Sequence, residues 1–361
     1  MRSSAVRRVR SLLLISIAGA GAAAAQQGGA TDSATTARQI LAAMNETPRA
    51  LRSVHYEVLY VCREEFATQR KTILEATRRN VLGFLRRMKL DVEPRHERLL
   101  VILLDTQQQM QEFARRSGTA IGPTVAGFYS HEKNWAIFYN QRKGDDVLQW
   151  EQWTEEMARR LIEIPGGPQT RVNVTTPTGP VTLTKQQVAD QIVAHRKQVL
   201  ASVNEFNTTV TQHEGAHQVA FNVGVQRRGA AYPFWVSEGL ACLFETPPQS
   251  GRSARGAARV NSERLGAYRA ARRAGRALGL RRLIALGQGD AIDAEAAYAE
   301  SWSLFTFLFQ RHSKELSAYL RSLAQRGENQ RPDETSAFRK AFGGDLDALE
   351  QELEKFVERL D

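Results

Sequence analysis

The chain has 361 residues, 42% of them hydrophobic and 24% charged, a balance that suits one large or two smaller globular domains around a real core. Those proportions exclude a collagen-like chain, wholesale disorder and a bundle of membrane helices. The formal charge is +10, but no helix-turn-helix, RNA-binding or zinc-knuckle pattern goes with it, so no specific nucleic-acid binding is expected.

Residues 1–25 read as a signal peptide. Arg2, Arg7, Arg8 and Arg10 precede a short apolar stretch at 12–17, and Ala23, Ala24 and Ala25 supply the small residues at which a leader is cut. The apolar stretch falls well short of the roughly 20 residues that span a bilayer. The expectation is an exported protein, periplasmic or extracellular, that starts at Gln26 and keeps no membrane span. Without the leader the formal charge drops from +10 to +6. Residues 26–49 read as a flexible mature N-terminus, with order setting in between 36 and 50.

Further along, Val54, Tyr56, Val58 and Tyr60 alternate with more polar neighbours and predict a strand at 55–62. Apolar residues at helical spacing predict a helix at 64–89. The run LLVILL at 99–104 predicts a strand buried on both faces. Asp105 and Thr106 cap a helix that runs to Arg116, and WAIFY at 135–139 predicts the next strand. This alternation implies an α+β fold with a mixed sheet covered by helices.

Residues 141–184 form an insertion: a polar helix at 147–164, then a Pro-, Gly- and Thr-rich stretch at 165–184 that is either a hairpin or a loop. Helical spacing resumes at 185, and a motif helix follows, with Thr208 or Thr209 as its N-cap and Gly224 as its stop. The expected division is a catalytic domain at 50–247 and a mostly helical C-terminal subdomain at 248–361. Within the latter, 302–309 is apolar on every side, which marks a buried helix.

The chemistry concentrates in two segments. His213-Glu214-Gly215-Ala216-His217 places two imidazoles four residues apart, on one helix face, where both can point at one ion. Glu214, one residue round from His213, lies close to such an ion without binding it, where a general base takes a proton from a metal-activated water. A third protein ligand is needed. The metzincin continuation is excluded, because Ala220 and Val223 stand where Gly and His would be. A glutamate is available at Glu238, twenty-one residues after His217.

The segment Trp235-Val236-Ser237-Glu238-Gly239 resembles the W-x-x-E-G signature of aminopeptidase N-like enzymes and, more broadly, of the gluzincin (peptidase MA-like) zinc metallopeptidases. The resemblance implies a zincin-like sheet and Zn2+ held by His213, His217 and Glu238, with Glu238 on a second helix antiparallel to the first. It implies that Glu245 orients a ligating histidine. It also implies an edge strand, taken here as 135–139, that lines the cleft and pairs with an extended peptide. Tyr298, sixty residues past Glu238, corresponds to a tyrosine that stabilises the oxyanion. Two departures matter: Cys242 stands where a thermolysin-like site has an aspartate, and no G-x-M-E-N motif is present to hold a free amino terminus. The expected function is therefore an exported zinc-dependent metallopeptidase acting on peptide or protein, with endopeptidase or specialised envelope hydrolysis favoured over aminopeptidase activity.

Two alternatives stay open. One is a catalytically inactive relative that docks on an anionic envelope polymer through the segment 252–282, where ten arginines face only Glu263. The other is a zinc hydrolase of non-peptide amides or esters. Pairing of Cys62 with Cys242 is also open.

Overall fold

The structure, a computed structural model, describes residues 30–93, 97–176, 179–246, 260–287, 293–327, 330 and 333–360. The expected signal peptide lies outside the described residues.

The sheet is mixed and five-stranded, β1 (Arg49–Arg52), β2 (Tyr56–Tyr60), β3 (Leu99–Leu104), β4 (Gly127–Ser130) and β5 (Trp135–Tyr139), in the order β1-β2-β3-β5-β4. β3 is parallel to β2 and β5, and the outer strands are antiparallel to their neighbours. The pleat explains why LLVILL is wholly apolar. Leu99, Val101 and Leu103 face one core, while Leu100, Ile102 and Leu104 face a second. The strand at 135–139 lies inside the sheet, whose edges are β1 and β4, a correction to the expected edge. An unbroken run of apolar and aromatic residues makes 135–139 the stronger strand signal, but register against β3 is a tertiary property.

Helix α1 (Ala30–Ala43) and helix α3 (Gln107–Arg116) cover the second face. The N-terminal stretch is thus helical from Ala30, and Ala37 and Leu41 are fully buried. Its small and polar composition hides this in the sequence. One turn of spacing puts Ala37 and Leu41 on the sheet side, and that narrow stripe suffices once the sheet is there. Thr106 caps α3 in a reciprocal box with Gln109, as its position before the helix predicts.

The first face carries helix α2 (Glu64–Arg87) and the C-terminal half of α5 (Lys185–Asn222). Between them in sequence comes the insertion, helix α4 (Asp145–Glu163) and the hairpin β6 (Arg171–Thr176) and β7 (Gly179–Thr184). α5 is one helix of 38 residues, about 57 Å at 1.5 Å per residue. Its N-cap is Thr184, in a capping box with Gln187. Thr208 and Thr209 lie inside it and cap nothing; the Thr208 hydroxyl donates back to the Asn204 carbonyl at 3.0 Å. The helix stops at Asn222, with Val223 as C-cap and Gly224 at φ +86°.

Helices α6 (Phe234–Cys242), α7 (Ser262–Arg273), α8 (Leu280–Ala285), α9 (Ala294–Arg311), α10 (Ser313–Ala324), α11 (Glu334–Phe342) and α12 (Leu346–Glu358) follow. α9 is buried on all sides from Ala296 to Leu308. Their core is continuous with the first face of the sheet, from Tyr56 through Val357, so these helices complete one core rather than build a second. Trp235 anchors the join. Its ring is fully buried, stacked on Tyr319 at 5.8 Å and edge-on to Phe338. Among the described residues, no helix is long and apolar enough to cross a membrane.

Candidate metal centre

The site lies where α5 crosses α6. His213 and His217, one turn apart on α5, turn their Nε2 atoms toward each other at 3.1 Å. Glu238 on α6 brings Oε2 to 3.1 Å from the first and 3.3 Å from the second. The residue after Glu238 packs α6 closely on its other neighbour. A Cβ on Gly239 would stand 2.6 Å from the Ser301 carbonyl oxygen and 2.7 Å from Phe305 Cβ, so α6 and α9 approach almost backbone to backbone.

This triangle fits a cation. Donors bound at about 2.0–2.1 Å with tetrahedral angles stand about 3.3 Å apart. His213 Nδ1 lies 2.9 Å from Glu245 Oε1, and since a carboxylate only accepts, Nδ1 carries the proton in the neutral ring. Nε2 is then the atom left for an ion, and its close contacts with His217 Nε2 and Glu238 Oε2 need a positive charge, a proton or a metal ion, between them. The other Glu238 oxygen, Oε1, is buried without a hydrogen-bond partner. His213, His217 and Glu238, all buried, are close enough together to bind a metal ion.

Glu214 sits on the same helix, 0% exposed, and neither of its oxygens has a hydrogen-bond partner. Burial pushes its carboxyl above the usual carboxylate range, which the two imidazoles only partly offset; the Tyr129 amide of β4 eases the charge from beyond good hydrogen-bond geometry. Glu238 goes the other way. Burial would raise it, but His217 and His213 draw it down to about 2. Two carboxyl groups on one centre are thus pushed in opposite directions.

Glu245 lies just beyond α6, and behind it stand residues that the sequence did not single out. Asn261 and Arg264, at the start of α7, both bond to it. Cys242 joins His213 and Glu245 in a second compact trio. That trio is no second ion site, because both Glu245 oxygens are already taken by His213, Arg264 and Asn261. Cys62 and Cys242 are both buried free thiols, which closes the pairing question. Tyr298 on α9 is brought to the site: its ring centre is 5.8 Å from that of His213 and 5.5 Å from that of Phe234. Asn134, at the β4–β5 turn, and Gln218 and Asn222 on α5 tie the motif helix to the sheet. Only the side-chain types, not their partners, were readable for these.

Five of the seven described arginines of the arginine-rich segment are engaged. Arg264 pairs with Glu245, Arg272 with Glu354, Arg276 with Asp293 and Arg281 with Asp347, while Arg269 donates to the Leu360 carbonyl. Arg252, Arg255 and Arg259 lie outside the described residues.

A family model described as a protein of unknown function, DUF1570, matches residues 207–328, which spans both metal-ligand segments and Tyr298. No curated protein matches the chain.

Proposed function

We propose that the chain is an exported zinc-dependent hydrolase of the gluzincin kind, a metallopeptidase with Glu214 as general base. The observation that carries this reading is the buried donor triangle of His213, His217 and Glu238, with an unpartnered Glu214 beside it on the same helix. Two imidazoles and one carboxylate are the donor set of catalytic zinc sites that leave a position open, whereas structural sites favour four protein ligands and cysteine. Bound there, zinc would supply a Lewis acid that polarises a carbonyl and makes water acidic near neutral pH.

The protein's own side chains do the rest. Glu214 takes a proton from the attacking water as its oxygen bonds to the carbonyl carbon. When the carbon–nitrogen bond breaks, Glu214 gives that proton to the leaving nitrogen and is again a carboxylate. The Tyr298 hydroxyl is the proposed donor to the oxyanion. Export is supported by the leader-like composition of residues 1–25.

A purely structural metal is the second reading, and one observation favours it. His213, Glu214 and Glu238 are 0% exposed and His217 is 2% exposed, so a substrate reaches them only after the surrounding chain opens. Against it stands Glu214, a carboxylate buried at the centre without a partner, which a structural site does not need and which costs stability. A polymer-docking module is less favoured, since Arg264, Arg269, Arg272, Arg276 and Arg281 already have partners.

Metal content and peptide hydrolysis of the mature protein test this. About one zinc per chain is expected in wild type and Glu214→Gln, and little in His217→Ala or Glu238→Ala. Glu214→Gln should lower turnover by roughly 10²- to 10⁴-fold. A wild-type chain that takes up no zinc after reconstitution refutes the proposal. Zinc uptake with no hydrolysis of any peptide favours the structural metal.

A further inference from the structure

Glu245 accepts four hydrogen bonds, and none of the donors comes from α6, the helix it follows. Oε1 accepts from His213 Nδ1 at 2.9 Å and from Arg264 Nη2 at 2.6 Å. Oε2 accepts from Arg264 Nε at 2.9 Å and from Asn261 Nδ2 at 2.8 Å. The guanidinium therefore grips both oxygens side by side, a two-point hold that fixes the plane of the carboxylate as well as its place. Asn261 works at both ends. Its Oδ1 caps α7 by accepting from the Arg264 backbone N–H at 3.1 Å, while its Nδ2 reaches Glu245. Cap and grip are one unit, so the start of α7 cannot shift without moving Glu245.

Arg264 also differs in kind from the other paired arginines of its segment. Its side chain is 13% exposed, against 38% for Arg272, 46% for Arg276 and 53% for Arg281. Its guanidinium carbon lies 5.2 Å from the centre of the Tyr298 ring, which also neighbours His213. One side chain thus touches both the carboxylate behind His213 and the aromatic ring beside it.

We infer that Arg264 is a positioning residue of the metal centre: with Asn261 it holds Glu245 where that carboxylate fixes the ring and tautomer of His213, and it seats Tyr298 against the same histidine. The inference rests on the reading of the triangle as a zinc site. A ligating imidazole needs its far nitrogen held by a hydrogen-bond acceptor that cannot itself swing away. Here the acceptor is carried by the short stretch that follows α6, and the rigidity comes from an arginine nineteen residues further along. Lysine cannot substitute, because a single ammonium does not hold two oxygens in one plane.

The test uses the full mature chain as wild type, Arg264→Lys, Arg264→Met and the control Arg272→Met. Zinc affinity is read by competition with a chelator, and the cobalt-loaded forms are compared by their visible spectra. The proton chemical shift of His213 Nδ1–H in the metal-free chain reports its hydrogen bond to Glu245. Arg264→Met should weaken zinc binding about 10- to 100-fold, alter the cobalt spectrum and move the Nδ1–H signal upfield as that hydrogen bond weakens. Arg264→Lys should recover only part of this, and Arg272→Met should match wild type. If Arg264→Met does not fold, Arg264→Lys alone decides. Wild-type affinity and Nδ1–H signal in a folded Arg264 variant overturn the inference while leaving the zinc site intact. A wild-type chain that binds no zinc overturns the metallopeptidase reading, and the Nδ1–H signal still decides whether Arg264 positions His213.

Discussion

Gly239→Ala tests the close approach of α6 to α9, next to the candidate ligand Glu238. The added Cβ would lie 2.6 Å from the Ser301 carbonyl oxygen and 2.7 Å from Phe305 Cβ. Carbon atoms pack comfortably at about 3.5–4.0 Å, so α9 must retreat from α6 by roughly 1 Å. Both obstacles are backbone or Cβ atoms, which no rotamer change can move. Forced expansion of a packed core costs about 1–3 kcal/mol, while replacing a mid-helix glycine by alanine returns up to about 1 kcal/mol. The net expectation is a loss of up to roughly 2 kcal/mol once the full gain is subtracted, together with weaker zinc binding because Glu238 moves with α6. Gly266→Ala is the control: it lies within α7, and a Cβ added there would meet nothing within 4 Å, so only the propensity gain applies. Urea unfolding of the metal-free variants reads both. If Gly239→Ala were as stable as Gly266→Ala and bound zinc like wild type, the close approach of α6 and α9 would not exist in solution.

Trp235→Ala should cost about 3–5 kcal/mol, since the ring is fully buried among Tyr319, Phe305 and Phe338; a shift in urea midpoint equivalent to under about 1 kcal/mol would contradict that packing. Burial pushes the Cys62 thiol up to about 12 and that of Cys242 to about 11, so neither should react with a thiol reagent at about pH 8 until urea unfolds the chain. Fast labelling of native protein would show that one of them is accessible. Glu238 is held at about 2 in the fold, below the unfolded value of about 4.3. Its contribution is therefore full above about pH 4.3 and lost as pH falls toward about 2, on the order of 3 kcal/mol in the metal-free chain. Glu238→Gln should flatten that acid limb, and an unchanged slope would count against the pairing.

Periodicity and end signals decided much of this protein in advance. Six consecutive apolar residues at Leu99–Leu104 read as a strand with cores on both sides, and Thr106 reads as the cap of the helix that follows. The spacing of His213 and His217 put two imidazoles on one helix face, because four residues make about one helix turn whatever surrounds it, and the likeness of residues 235–239 to W-x-x-E-G added Glu238; the three are close enough together to bind a metal ion. Other features have no local signature. Helix α1 shows little apolar stripe until the sheet supplies a surface for Ala37 and Leu41. Thr208 reads as a cap by type, but a hydroxyl inside a continuous helix turns back to the carbonyl four residues earlier. β5 rather than β4 looked like the edge, since strand order follows from which residues meet across the sheet. Arg264 is one arginine among ten in its stretch; only folding, which sets α7 against the end of α6, separates it from neighbours that bind at the surface. Sequence carries the residue types and their spacing along one element, and those suffice for a two-histidine face. Partnerships between elements depend on distances that exist only after the chain has packed.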